Sequence, residues 1–379
     1  MVARTQRGRD VPVQDRLTQE VHTVPLTTLA FDWVYTLLVF LVAVGIHIDG
    51  WSHSSFGPDQ SVFSEYHLLF YAGLMALGLW LFGAAFANRR AGFVGLNALP
   101  AGYKLSALGL FIFGITGVFV LGGHALFGFE VDNEALYSPT HLGLFAGWAL
   151  LSIGPTRAAL ERQRLVDKAT TQSWRTSFLN FLPALIAWAS FFNVMAFVSM
   201  SLFGTSTGLM LSENRTDNSF FGETLGIAGI LLQTATTVGA LAWLSLRFKL
   251  PVGAFTLFFL LYGLYGSVLE LDPSLVPVFL VVGVLCDGFY TLLRPSCYGP
   301  LRFHSFNVLI ALSLWGTFYA FVFLTGYGGG IWYTPYIWTG SVAHALAVAL
   351  LVSLLVTSGV GLKGASPAGA TPLEPPSPS

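Results

Sequence analysis

The sequence predicts an all-α fold, a polytopic membrane helix bundle of about ten transmembrane helices. Of its 379 residues, 54% are hydrophobic and only 10% are charged, whereas soluble domains carry about 25% charged residues. The mean hydropathy is +0.68. Apolar stretches of the roughly 20 residues that a spanning helix needs recur along most of the chain. This composition disfavours a water-soluble enzyme and a disordered protein and makes the lipid bilayer the first expected partner.

Ten apolar segments between charged or turn-rich stretches are the predicted spans. They cover residues 29–50, 63–88, 104–124, 138–157, 177–203, 222–246, 251–270, 274–293, 303–325 and 335–360. The polar segment 1–28 precedes the first span, which favours an uncleaved signal anchor over a removable signal peptide. Residues 361–379 contain five prolines and predict a disordered tail.

The basic residues predict the orientation, because short cytoplasmic loops keep an excess of Lys and Arg. With a cytoplasmic N-terminus, ten spans place every Lys and Arg except Arg215 on the cytoplasmic side. Both termini are therefore predicted to lie in the cytoplasm of a bacterial or archaeal cell. The balance of 18 basic against 19 acidic residues leaves no excess for nucleic acid. A cytoplasmic loop, 161–176, separates a four-helix region, 29–160, from a six-helix region, 177–360.

A two-part pattern in the N-terminal half occurs twice. Residues 53–59, His-Ser-Ser-Phe-Gly-Pro-Asp, and 63–73, Phe-Ser-Glu-Tyr-His-Leu-Leu-Phe-Tyr-Ala-Gly, are echoed later. The echo is 124–130, His-Ala-Leu-Phe-Gly-Phe-Glu, and 137–147, Tyr-Ser-Pro-Thr-His-Leu-Gly-Leu-Phe-Ala-Gly. Each copy runs from the outer end of one span through a loop into the next. We interpret the repeat unit as a two-helix hairpin used twice in the same orientation.

The repeat gathers ionisable side chains at the outer membrane boundary, where they are costly and by default functional. Five of the eight histidines lie there: His47, His53, His67, His124 and His141. Asp49 and His53 are four residues apart and share a helix face, and His67 arrives from the facing helix. Two histidines and a carboxylate with open positions suit iron, copper or zinc. The alternative is that each histidine binds no metal and only places its ring nitrogens in contact with water at the membrane interface.

The second copy predicts a less complete site. His124 and His141 match His53 and His67, but Val120 stands where the first copy has Asp49. Glu130 is the loop carboxylate that could replace it. His47 and Glu65 are candidates for contacts with the ligand side chains rather than for binding the metal itself. His47 lies about 120° away from His53 around the helix, and Glu65 points away from His67.

The first copy resembles a known family. Asp49-Gly-Trp-Ser-His53, followed by Phe63-Ser-Glu-Tyr-His67 and its aromatic-Gly continuation, is similar to the copper-site segment in a membrane subunit of the copper membrane monooxygenases, the particulate methane and ammonia monooxygenases. The resemblance covers about 25 residues and implies that Asp49, His53 and His67 bind copper. The interval from His53 to His67 is one residue longer here, and proline is absent before His67.

Three functions fit these residues. The first is a copper-dependent membrane oxidoreductase acting on a small or lipid-like substrate, alone, as a homo-oligomer or with partner subunits. The second is a zinc-dependent hydrolase in which the metal activates water. The third is a transporter or metal-handling protein. A Cu(I) pump is disfavoured because Met and Cys, the soft ligands that such a relay needs, lie away from the histidines.

Two polar residues in the C-terminal half also stand inside predicted spans. Asp287 falls within the eighth span and His344 lies about two turns into the tenth. An intramembrane carboxylate needs a partner, so the two are expected to form a buried pair or a proton path, unless Asp287 marks a break in its helix.

Overall fold

A computed structural model describes residues 25–57, 63–127, 138–165, 174–198, 219–270, 273–295, 299–327 and 334–358. The predicted tail, most of the N-terminal segment and the Arg215 loop lie outside these residues. In the described residues the secondary structure is helical throughout, without a strand, which confirms the predicted all-α class.

Eleven α-helices form the described part of the chain. They are α1 Leu29–Phe56, α2 Glu65–Arg90, α3 Lys104–Phe127, α4 Pro139–Ser152, α5 Gly154–Leu165, α6 Trp174–Val198, α7 Ser219–Arg247, α8 Ala254–Glu270, α9 Val276–Leu293, α10 Pro300–Thr325 and α11 Pro335–Ser358. Eight of them are long and apolar enough to cross a membrane. The chain is therefore an integral membrane helix bundle.

The two remaining predicted spans correspond to shorter helices. α8 has 17 residues. The predicted span 138–157 is divided at Ile153 into α4, of 14 residues, and the polar helix α5. The Gly154-Pro155 pair explains the division, because a proline disfavours helical geometry in the residue before it and suits the first turn of a new helix.

Local capping sets the ends of the N-terminal helices. The Thr28 hydroxyl accepts a hydrogen bond from Phe31 N at 3.2 Å and begins α1. Ser64 and Ser138 cap α2 and α4 in the same way. Each satisfies a backbone N–H that has no partner within its helix. Gly57, at φ 83°, ends α1 in a conformation that strains any other residue.

The chain divides into two compact units, 1–194 with 268–271, and 195–267 with 272–379. This differs from the predicted division at the 161–176 loop, since most of α6 belongs with the first unit. The reason is hydrogen bonding to α6: the Thr36 hydroxyl donates to the Pro183 carbonyl at 3.2 Å, and the Thr156 hydroxyl donates to the Ala184 carbonyl at 2.8 Å. Thr36 and Thr156 are buried.

In the first unit, α1 packs against α2 and α3 packs against α4. Equivalent glycines of the two sequence copies lie where the paired helices approach closely. A Cβ on Gly73 would stand 2.9 Å from Val42 Cγ2, and one on Gly147 would stand 2.8 Å from Phe113 N. Small residues let membrane helices approach closely and gain van der Waals contact.

We expect Gly147→Ala to destabilise the protein by about 1–3 kcal/mol, the usual cost of overpacking. The added methyl group would meet backbone atoms on α3, Phe113 N and the Gly109 carbonyl oxygen at 2.9 Å, and these atoms move only if the helices separate. Gly78→Ala is the matched control, because nothing lies within 4 Å of its new Cβ. Thermal unfolding in detergent measures both, and an unchanged midpoint for Gly147→Ala would contradict the close packing.

In the second unit, hydrogen bonds between side chains join α10 to α7 and to α11. Trp315 Nε1 on α10 donates to the Thr234 hydroxyl on α7 at 2.7 Å. The Tyr319 and Ser341 hydroxyls, on α10 and α11, lie 2.9 Å apart. Such pairs satisfy polar groups that would otherwise face hydrocarbon.

The expected pairing of Asp287 with His344 is wrong. The Asp287 carboxylate accepts hydrogen bonds from Phe255 N at 3.3 Å and Thr256 N at 2.9 Å, at the N-terminus of α8. His344 is exposed, and its Nδ1 donates to the Gly340 carbonyl at 2.7 Å. α9 continues through Asp287 without a break. The partner of the carboxylate is thus a helix end, whose positive dipole stabilises it.

Candidate metal centre

Asp49 and His53 stand in the last two turns of α1. The helix continues past the Gly50 position to Phe56, and the Ser52 hydroxyl donates to the Asp49 carbonyl at 2.7 Å. Because the helix is unbroken, residues four apart share one face. His53 Nε2 lies 3.7 Å from Asp49 Oδ2.

His67 approaches the same carboxylate from the first turn of α2. Its Nε2 lies 3.3 Å from Asp49 Oδ1, on the other carboxylate oxygen from His53. The ring centroids of His53 and His67 are 5.9 Å apart. The predicted convergence of Asp49, His53 and His67 is therefore present in the structure.

These three side chains could hold one metal ion. One ligand atom from each lies within 4.8 Å of the other two, the only such group of at least three His, Cys, Asp or Glu side chains in the described residues. Ligands bound at about 2.0–2.2 Å in tetrahedral geometry stand roughly 3.3–3.6 Å from one another. The separation of 3.3 Å between His67 Nε2 and Asp49 Oδ1 fits that geometry, and His53 Nε2 lies slightly farther away, 3.7 Å from Asp49 Oδ2.

Ser64 controls the orientation of the His67 ring. Its hydroxyl lies 2.9 Å from His67 Nδ1 and also accepts the His67 backbone N–H at 3.3 Å. When Nδ1–H donates to the hydroxyl, Nε2 is left unprotonated and directed toward Asp49. A partner on the second ring nitrogen is the usual device that fixes a metal-binding histidine.

Aromatic rings surround the first hairpin's polar cluster. Tyr71 stacks on the His67 ring at 5.7 Å between centroids, and Phe70 meets that ring edge-on at 5.5 Å. The Asp49 and His67 side chains are each only 16% exposed, whereas His53 is 38% exposed. Access to the cluster is therefore on the His53 side. A second group of rings lies beside it, formed by Trp51, Phe56 and Tyr66.

The second sequence copy repeats the serine contact. The Ser138 hydroxyl lies 2.9 Å from His141 Nδ1 and accepts the His141 backbone N–H at 3.4 Å. His141 is half-buried at the start of α4. The His124 side chain and Glu130, its predicted companions, lie outside the described residues, so the second site stays a prediction.

His47 is buried and contacts α6, whereas Glu65 is exposed. His47 is 2% exposed, its Nδ1 donates to the Ala43 carbonyl at 2.7 Å, and its Nε2 accepts from the Asn193 amide at 3.0 Å. This histidine links α1 to α6. Glu65 is exposed at the start of α2, and no hydrogen bond or ion pair joins it to the three described ligand candidates.

Sequence reasoning missed a charged cluster at the opposite end of α1. Asp32 is completely buried and forms an ion pair with Arg162 of α5. The Tyr103 hydroxyl donates to Asp32 Oδ1 at 2.6 Å. Burial and the adjacent Asp32 carboxylate raise the pKa of Tyr103 well above its ordinary value, so the hydroxyl stays protonated and able to donate. The signal in the sequence was Asp32, an acidic residue in the first turn of an apolar helix.

Comparisons of the chain with family models, with curated proteins and with solved structures found no match. Its function is therefore inferred from the residues themselves.

Proposed function

We propose that this protein is a membrane metalloprotein that binds a divalent metal ion through Asp49, His53 and His67 and uses it in an oxidoreductase reaction. The observation that carries the proposal is the convergence of these three side chains, from two helices, within 4.8 Å of one another. Their donor set, two imidazole nitrogens and one carboxylate, leaves coordination positions open.

Copper is the favoured ion. The ligand types suit copper, iron and zinc alike, and the sequence resemblance to the copper membrane monooxygenases favours copper among the three. The Ser64 contact with Nδ1 of His67 and its counterpart at Ser138 and His141 support the interpretation of the two hairpins as a repeat.

Oxygen insertion into a small or lipid-like substrate is the reaction that this resemblance implies. In that step, a C–H or N–H bond, O2, two electrons from a diffusible reductant and two protons give the hydroxylated product and water. A bound copper or iron ion supplies the redox chemistry. Asp49, His53 and His67 would hold the ion, the Asp49 carboxylate would neutralise part of its charge, the aromatic rings would pack beside His67, and the exposed edge of His53 would leave the approach open.

Metal analysis of the purified wild-type protein tests the proposal. We expect the first hairpin to bind one ion tightly, so that each protein chain retains one copper ion after loading with Cu(II) and dialysis against a weak chelator. Mass spectrometry measures the retained metal. Electron paramagnetic resonance of the copper-loaded protein is expected to show hyperfine coupling to two imidazole nitrogens. A protein that retains no metal, or a copper signal without nitrogen coupling, would contradict the site.

The same measurement separates the alternatives. A zinc-dependent hydrolase would carry Zn(II) rather than copper when it is purified without added metal, and its zinc form would hydrolyse a substrate, since a zinc site with an open position activates water. A metal transporter would release the ion rapidly and reversibly. Retention of a second copper ion that His141→Ala removes would extend the proposal to the second hairpin.

Ser64→Ala is expected to weaken metal binding by about 10–100-fold, the usual effect of removing a partner from a metal-bound histidine. The substitution keeps every predicted ligand but frees the His67 ring. Because it also removes the cap of α2, Ser64→Gly serves as the control, as glycine caps a helix almost as well and lacks the hydroxyl. If both variants bind copper with wild-type affinity in a chelator competition, Ser64 has no role in positioning His67.

A further inference from the structure

A cavity lies far from the metal centre in sequence, in the unit formed by 195–267 and 272–379. Its volume is 840 Å³, and it is bordered by the loop before α8, the C-terminal half of α9 and the start of α10. This size is typical of small-molecule sites, which span about 300–1,000 Å³.

Two guanidinium groups line this cavity, those of Arg294 and Arg302. Both side chains are exposed, and neither forms an ion pair with a carboxylate of the described residues. The one acidic side chain in the lining, Asp287, already accepts hydrogen bonds from Thr256 N at 2.9 Å and from the Thr256 hydroxyl at 2.6 Å. The lining of the cavity therefore carries two guanidinium charges against one carboxylate, a net charge of +1.

Arg294 occupies a backbone conformation that arginine rarely adopts. With φ 47° and ψ 58° it caps the C-terminus of α9 in the left-handed region, and it is the only residue other than glycine with positive φ in the described chain. Glycine is the usual residue there, because a side chain is sterically disfavoured in the left-handed region. Strain of this kind concentrates at functional sites.

The cavity also has an apolar wall that continues onto the outside of the bundle. Val284 and Leu292 line it, and they are 55% and 77% exposed. Both belong to α9, one of the helices able to cross a membrane. Arg294 directly follows this helix, so a bilayer crossed by α9 would place the guanidinium near the level of the lipid headgroups.

We propose that this cavity binds the phosphate group of an anionic membrane lipid through Arg294 and Arg302. Guanidinium groups match phosphate oxygens in charge and in paired hydrogen-bond geometry. The apolar wall formed by Val284 and Leu292 contacts the acyl chains. Basic pockets between membrane helices on the cytoplasmic side bind anionic headgroups in this way, and the distribution of Lys and Arg predicts that side for this cavity.

Native mass spectrometry of the full-length protein in neutral detergent, titrated with phosphatidylglycerol, tests the site. We expect one lipid bound per chain, with affinity reduced at least tenfold in Arg294→Gly and in Arg302→Gln. Arg294→Gly suits the left-handed backbone, so its thermal midpoint without added lipid should equal or exceed that of the wild type. Added phosphatidylglycerol should raise the midpoint of the wild type but not of the variants.

Arg90→Gln is the matched control, since it removes an exposed cation that stacks on Phe86 at the end of α2. It is expected to leave phosphatidylglycerol binding unchanged. Equal weakening in Arg90→Gln would show general charge attraction and overturn the site, as would binding of phosphatidylcholine with the same affinity. Displacement of the lipid by millimolar inorganic phosphate would overturn the lipid as ligand and assign the cavity to a soluble phosphate compound.

Discussion

The His67→Ala variant is expected to lose all metal from the first hairpin, at least a 100-fold fall in copper affinity. His67 supplies the ligand atom nearest to the Asp49 carboxylate, at 3.3 Å, and it is the only one of the three from α2. Without it the remaining pair, Asp49 and His53, come from one helix turn and leave the ion with two protein ligands. A chelator competition followed by metal analysis measures the change.

His344→Ala is the control for this experiment. That histidine is exposed on another helix and bonds to the Gly340 carbonyl of its own helix, so its removal takes away one imidazole without touching the cluster. Asp49→Asn complements it by keeping the shape of the side chain while removing the charge, and it too should lose metal. If His67→Ala and His344→Ala retain the same amount of copper, His53 and His67 do not bind metal. They are then ordinary histidines whose ring nitrogens are hydrated at the membrane interface.

The Arg162→Met variant is expected to lose about 3 kcal/mol of stability, because breaking a buried ion pair leaves an uncompensated charge. Asp32 has 0% exposure and Arg162 has 26%, so the carboxylate left behind cannot turn to water. The hydrogen bond from Tyr103 at 2.6 Å remains but carries no full positive charge. Chemical unfolding in mixed micelles measures the loss.

Asp32→Asn is expected to lower the free energy of unfolding less than Arg162→Met does, since the arginine left behind is partly exposed and can reach solvent. The double variant Asp32→Asn with Arg162→Met should regain more than half of the loss of Arg162→Met, because neither charge is then buried alone. Additive losses in the double variant would mean that the two residues act independently and that their ion pair contributes nothing.

Features set by neighbouring residues could be predicted from the sequence. The long apolar segments give helices of the expected type, since a helix in lipid satisfies its own backbone groups whatever its partners are. The Asp49 and His53 pair follows from a spacing of four on one helix, and the short interval to His67 keeps the next helix adjacent. The first metal-site hypothesis needed nothing from distant parts of the chain.

The break at Ile153 could also have been predicted. Gly154-Pro155 is a strong local signal, but the apolar residues on both sides favoured one continuous span. The mean hydropathy of a segment therefore predicted that a helix is present better than it predicted the residues at which the helix begins and ends.

Contacts between distant residues were decided only by the tertiary structure. His47 was grouped with His53 in the sequence, yet it turns inward to Asn193, 146 residues later. Arg162, counted in the sequence as a loop cation, pairs with Asp32.

Helical periodicity gives the direction of a side chain around its own axis, but the identity of the facing helix depends on how the whole bundle packs. Asp287 shows this, because it bonds to the start of α8 rather than to His344. The sequence by itself therefore determined the helices and the local cluster of ligand candidates, while the packing decided which polar groups are structural and which stay open to a ligand.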